Sequence, residues 1–165
     1  MLSLKSCCLD DPKERNLDRP SRRVRMTEKI SAVEMQTTLE RYLARVRELD
    51  VGGVLELMAE DVSVEDPVGG PPGTHVIGRA NVQVFFTKGF ASSRPYPRQT
   101  GPICTTAGNE AAFPFLLELD LFGKRSELDV IDFIRFNSAG QIQTLRAFWN
   151  LQLARPAGSK HQPIP

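Results

Sequence analysis

The apolar residues of this chain change their spacing once. Up to about Phe90 they recur every three to four residues, apart from a short alternating run at Val62–Asp66. Beyond the proline-broken stretch "SSRPYPRQTG" they alternate with polar residues for the remainder of the domain. One backbone conformation cannot satisfy both periods, so helices come first and an antiparallel meander of strands follows. That order implies an α+β domain in which the helices pack on one face of a curved, mainly antiparallel sheet. With 165 residues, 41% of them hydrophobic and 25% charged, the chain can bury roughly two thirds of its unfolded surface in one such core.

From Ser31 to Leu49 the apolar positions Leu39, Tyr42, Leu43, Val46 and Leu49 form a helical stripe, with Glu40, Arg41, Arg45 and Arg47 largely opposite. Asp50 reads as the N-cap of a second, shorter helix whose stripe is Val51, Val54, Leu55 and Met58, with Gly52 and Gly53 weakening its start. "VGGPPGTHVIG" reads as a loop, and "RANVQVFFTKGF" as a third helix burying Val82, Phe85 and Phe86. In the strand region, turns are expected at Gly108-Asn109, Gly123-Lys124 and Asn137 to Gly140.

Residues 1–28 should be a disordered tail, since "DDPKERNLDRPSRRVR" is dense in charge and turn formers with almost nothing to bury. Met26, just ahead of a good helix, is a candidate translation start. The folded domain is expected over residues 29–154, followed by a flexible tail over 155–165. A formal net charge of +1 gives no field to gather nucleic acid or an anionic membrane. No apolar run approaches the roughly 20 residues that span a bilayer, and "MLSLKSCC" is too short for a secretory signal, so the expected location is the cytoplasm. Cys7, Cys8 and Cys104 form no disulfide framework or zinc pattern and read as reduced thiols. His75 and His161 read as solvated, and Arg135 and Arg146 as solvated or paired strand charges.

The informative residues are polar groups in apolar rows. In "VSVEDPVGG", Val62, Val64 and Asp66 share a strand face, with Ser63 and Glu65 on the other, before Pro67 stops the strand. In "ELDVIDFIRF", Asp132 interrupts the row Leu128, Val130, Ile134, Phe136. Tyr42 interrupts the stripe of the first helix. Each has a plain explanation: a core tyrosine with its hydroxyl satisfied, a turn aspartate, a structural ion pair or a register error. If all three enter one cavity, they offer an ionised base and two donors. A carboxyl protonated at pH 7 needs its pKa raised by about 3 units, which deep burial can supply, and only then can it donate a hydrogen bond.

At these residues the chain resembles the bacterial Δ5-3-ketosteroid isomerases of the nuclear transport factor 2-like, cone-shaped α+β superfamily. The resemblance runs from about Leu39 to Trp149 and is carried by "RYLARV", "LMAEDVSVEDPVG", "NEAAFPF" and "IDFIRFNSAGQIQTLRAFW". It implies that Asp66 is the catalytic base, that Tyr42 and Asp132 form an oxyanion hole, and that Phe85, Phe86, Phe115 and Trp149 line an apolar substrate cleft. It further implies an isomerase acting on a small apolar ketone, a steroid, with no cofactor or metal, and a homodimer through the sheet face that the helices leave open. Two features depart from the family pattern: Phe86 stands where a second tyrosine is common, and the loop after Asp66 is longer by about three residues. The other readings are a polyketide cyclase-like enzyme on another apolar ketone, or a non-catalytic module that binds a hydrophobic ligand.

Overall fold

The computed structural model describes residues 30–159; the expected N-terminal tail, Met26, Cys7, Cys8, His161 and the end of the C-terminal tail lie outside them. Three helices, α1 (Ala32–Arg47), α2 (Val51–Glu56) and α3 (Arg79–Ser93), cover one face of an eight-stranded sheet. Its strands are β1 (Met58–Glu65), β2 (His75–Ile77), β3 (Tyr96–Gln99), β4 (Cys104–Thr105), β5 (Glu110–Leu121), β6 (Lys124–Phe136), β7 (Ile142–Phe148) and β8 (Arg155–Pro156). The order is β2-β1-β7-β6-β5-β3, with β4 on β5 and β8 on β6.

Local chemistry sets the helix ends. Ser31 caps α1 through a reciprocal box: its Oγ accepts from Glu34 N, and Glu34 Oε2 accepts from Ser31 N at 2.8 Å. Removing such a cap typically costs about 1 kcal/mol. Met35, Leu39, Tyr42, Leu43 and Val46 then face inward, as the stripe predicts. Asp50 caps α2 by accepting from Gly53 N at 2.9 Å. A Cβ at Gly53 would crowd the Asp50 carboxylate and the Arg45 side chain, both of which would have to shift. Met58 belongs to β1 rather than to α2; it is fully buried, and α2 already ends at Glu56.

The long β5–β6 hairpin is the spine of the sheet, turning at Phe122-Gly123, one residue before the expected position. Both turn residues have positive φ, 51° and 76°, as a two-residue hairpin turn of this hand requires. Three segments read as irregular prove to be strand. His75–Ile77, inside the expected loop, forms a hairpin with β1. Tyr96–Gln99 pairs with β5 despite Pro97, which an outermost strand tolerates because one side has no ladder to complete. Arg155–Pro156, assigned to the flexible tail, pairs with β6, and Arg155 bonds to Glu127 and Asp129.

One pairing departs from the antiparallel meander: β1 runs parallel to β7, with Val64 beside Leu145 and Glu65 beside Arg146. Continued by one residue, that register brings Asp66 to the level of Ala147, and Val68 N bonds to Ala147 O at 2.9 Å. Ala147 in turn lies directly opposite Asp132, and Asp132 opposite Phe113. Thus the sheet register alone puts both aspartates in one cross-strand row on the face beneath the helices. The alanine between them leaves room for a ligand.

Candidate active site

The concave face of the sheet and the overlying helices enclose a cavity of about 260 Å³. Tyr42 from α1, Asp66 from the end of β1 and Asp132 from the middle of β6 all line it. Phe85, Phe86, Phe115 and Trp149 line it too, so the seven residues singled out from the sequence converge on one space. Sequence reasoning missed the rest of the wall, most of all Leu117, Leu119 and Leu121 on β5. The signal was present, since these continue the two-residue period of Phe115 along the same face.

The three polar groups sit in different electrostatic settings. Asp132 is buried, and its Oδ1 has no hydrogen-bond partner among the described residues. Burial, reinforced by the negative charge of Asp66, pushes its pKa well above the ordinary carboxylate range. Tyr42 is likewise buried, and desolvation together with the charges of Asp132 and Asp66 holds its hydroxyl well above 10, as a neutral donor. Burial also raises Asp66, but the Trp149 indole opposes the shift by donating from Nε1 to Asp66 Oδ1 at 2.5 Å. A hydrogen bond of that kind favours the ionised carboxylate. Trp149 therefore orients and tunes Asp66 besides lining the wall, a contact that no spacing in the sequence announces. Burial thus pushes both carboxyls of the cavity upward, Asp132 the more strongly, while only Asp66 receives a hydrogen bond that favours its ionised form.

Phe86 is buried and packs edge to face on Phe85, with ring centroids 5.5 Å apart, so it adds shape to the wall and no donor. His75 is exposed and bonds to Ser63 on the opposite side of the sheet. Arg146 pairs with Glu65 at 2.9 Å, and Arg135 bonds to Thr144. Cys104 is an exposed residue of β4. Among the described residues no group of three or more His, Cys, Asp or Glu side chains converges as a metal ion would need, and no helix is long and apolar enough to cross a membrane.

The family model for the SnoaL-like domain matches residues 39–145, a span that takes in the second half of α1, Asp66 just past β1, and β5, β6 and the start of β7. The chain belongs to the SnoaL-like domain family. Its fold is that of the nuclear transport factor 2-like superfamily. Within that group, this SnoaL-like chain is 30% identical over 118 residues to a steroid Δ-isomerase of Nocardioides simplex, covering 72% of this chain and 91% of that enzyme. It is also similar to RV0760c of Mycobacterium tuberculosis, solved in complex with estradiol-17β-hemisuccinate. That match has a TM-score of 0.67 and 27% identity, covering 74% of this chain and 98% of that one. SalBIII, an epoxide hydrolase/cyclase-like enzyme of pyran ring formation in salinomycin, shares the fold. Its TM-score is 0.66 at 22% identity, covering 74% of this chain and 95% of that one.

Proposed function

We propose that this chain is a steroid Δ-isomerase, working without a cofactor, that moves the double bond of a 3-ketosteroid from the 5,6 to the 4,5 position. The observation that carries this reading is the convergence of Tyr42, Asp66 and Asp132 on one apolar cavity. The steroid Δ-isomerase relative and the steroid bound to RV0760c support the substrate class.

In this mechanism Asp66 accepts a proton from the carbon between the ketone and the double bond. The electrons of that C–H bond move into the ring system, and the ketone oxygen gains negative charge as a dienolate. Tyr42 and protonated Asp132 donate hydrogen bonds to that oxygen, where one such donor typically contributes about 3 kcal/mol to transition-state stability. Protonated Asp66 then returns the same proton two carbons along, so nothing is consumed. An apolar wall keeps the shuttled proton from exchanging with water. A base and two donors of this kind would also enolise another apolar ketone, and a cyclase-like reaction is the alternative outcome.

The test is the rise of enone absorbance when purified protein meets a 5-ene-3-ketosteroid. Turnover that Asp66→Asn abolishes supports the reading; a folded protein that binds the steroid and leaves it unchanged overturns it. The proposal extends to a cytoplasmic homodimer. Ile131 and Phe148, 51% and 44% exposed, oppose one another in register on the outer sheet face and give a second copy an apolar surface to cover. Sedimentation at micromolar concentration should give twice the chain mass; a monomer would refute the dimer.

A further inference from the structure

A second recess, about 360 Å³, adjoins the cavity near the β5–β6 turn, and its lining includes Arg47, Arg94, Pro95, Asp120 and Arg125. Pro95 lines both spaces. At three further places chain neighbours line the two spaces: Val46, Ser93 and Leu121 the cavity, Arg47, Arg94 and Asp120 the recess. The recess lies toward the end of the cavity remote from Asp132. Eight residues of β5, roughly 26 Å of extended chain, separate Phe113, which faces Asp132 across the ladder, from Leu121.

Three guanidiniums from three separate elements surround this hollow against one carboxylate. That carboxylate, Asp120, is already engaged by Arg125 Nη1 at 3.4 Å; Arg125 also lies 3.9 Å from Glu118 Oε2 and donates to Arg94 O at 2.9 Å, so the cations left without an acidic partner among the described residues are Arg47 and Arg94. Arg47 Nε donates to a neutral acceptor, Pro97 O, at 2.8 Å. The Arg94 side chain has no acidic partner among the described residues, and its backbone, left-handed at φ 45°, ends α3. Arginine near a helix C-terminus complements the helix dipole. The dipole explains Arg47 and Arg94 one at a time, but not their meeting with Arg125 around a hollow that abuts an apolar cavity.

We propose that this recess receives a carboxylate carried on the end of the ligand opposite its ketone. The preferred substrate class is then an elongated apolar ketone with an acidic side arm. The inference rests on the reading of the cavity as a ketone site. Guanidinium groups suit this role because they stay charged and offer paired donors to a carboxylate.

Trp149, the one tryptophan of the chain, lines the cavity and supplies the signal. Its fluorescence is followed while the protein is titrated with a 4-ene-3-ketosteroid 17-hemisuccinate and, separately, with the methyl ester of that compound, which removes the charge and adds a methyl group. The acid should bind roughly five-fold more tightly than the ester at low salt, the scale of one partly exposed charge pair. Salt at 0.5 M, about a 4 Å screening length, should remove most of that preference. In Arg94→Gln, and further in Arg47→Gln with Arg94→Gln, the ratio of the two affinities should fall toward one. Equal affinities for acid and ester in the unaltered protein overturn the recess and leave the isomerase reading standing. A preference that survives both substitutions also overturns it. Selective binding of the acid without isomerisation of any 5-ene-3-ketosteroid supports the recess and overturns the isomerase reading.

Discussion

Glu65 and Asp66 are neighbours in the chain and opposites in surroundings. Glu65 faces the outside of the sheet, where Arg146 and the Gly69 N–H hold its pKa below the usual carboxylate value. Asp66 turns into the cavity, where burial raises it. The same contrast recurs on β6. Asp129, on the outer face, takes Arg155 at 2.7 and 3.3 Å, whereas Asp132, on the inner face three residues later, has a buried oxygen with no partner. On the outer face Glu65 and Asp129 are each met by an arginine. The two carboxyls that line the cavity have no arginine, although leaving a buried polar atom unsatisfied costs about 1–3 kcal/mol. A fold that places guanidiniums so freely outside has withheld them inside, and the chemistry proposed for the cavity accounts for the cost.

The sharpest way to break the comparison is to neutralise the inner carboxylate that ionises. Asp66→Asn should lower the isomerisation kcat by about 10²- to 10⁴-fold, the range of a positioned general base, read from enone absorbance. Next come the donors. Asp132→Ala and Tyr42→Phe should each cost about 10²- to 10³-fold in kcat, and Asp132→Asn less, because its amide still donates.

Stability should show the inner face in a third way. The folded state holds a proton on Asp132 that the unfolded state releases once pH exceeds about 4. Stability therefore falls as pH rises from about 4 toward the raised value, the reverse of a salt-bridged aspartate. Denaturant melts across that window should show the decline, and Asp132→Asn should reduce it to the part that Asp66, also raised by burial, contributes. The smallest effect belongs to the outer face: Glu65→Gln, which unpairs Arg146, should leave turnover within roughly two-fold of the unaltered protein. A large loss there would erase the distinction between the faces.

Much of this contrast could be read from the residues before any coordinates. A two-residue period fixes which side of β6 Asp132 occupies, and a helical stripe fixes the inward face of Tyr42, because both depend only on local backbone geometry. Registers between distant segments are another matter. The parallel β1–β7 pairing, which aligns Asp66 with Ala147 and Asp132, joins residues some 80 positions apart and leaves no local signature. The Trp149 bond to Asp66 depends on the same register. The strand at Tyr96–Gln99 was hidden by its prolines, which an edge position tolerates. The β8 segment was hidden by its polar, proline-containing sequence, because its attachment comes from Arg155 reaching Glu127 and Asp129.

Carbon-13 NMR of the aspartate carboxyl groups across pH tests the central claim most directly, with Asp132→Asn and Asp66→Asn used to assign the two inner signals. The account requires the Asp132 signal to remain that of a protonated acid at neutral pH while Asp66 ionises below it. If Asp132 loses its proton in the ordinary carboxylate range near pH 4, it is ionised at neutral pH and the proposed oxyanion hole loses one of its donors.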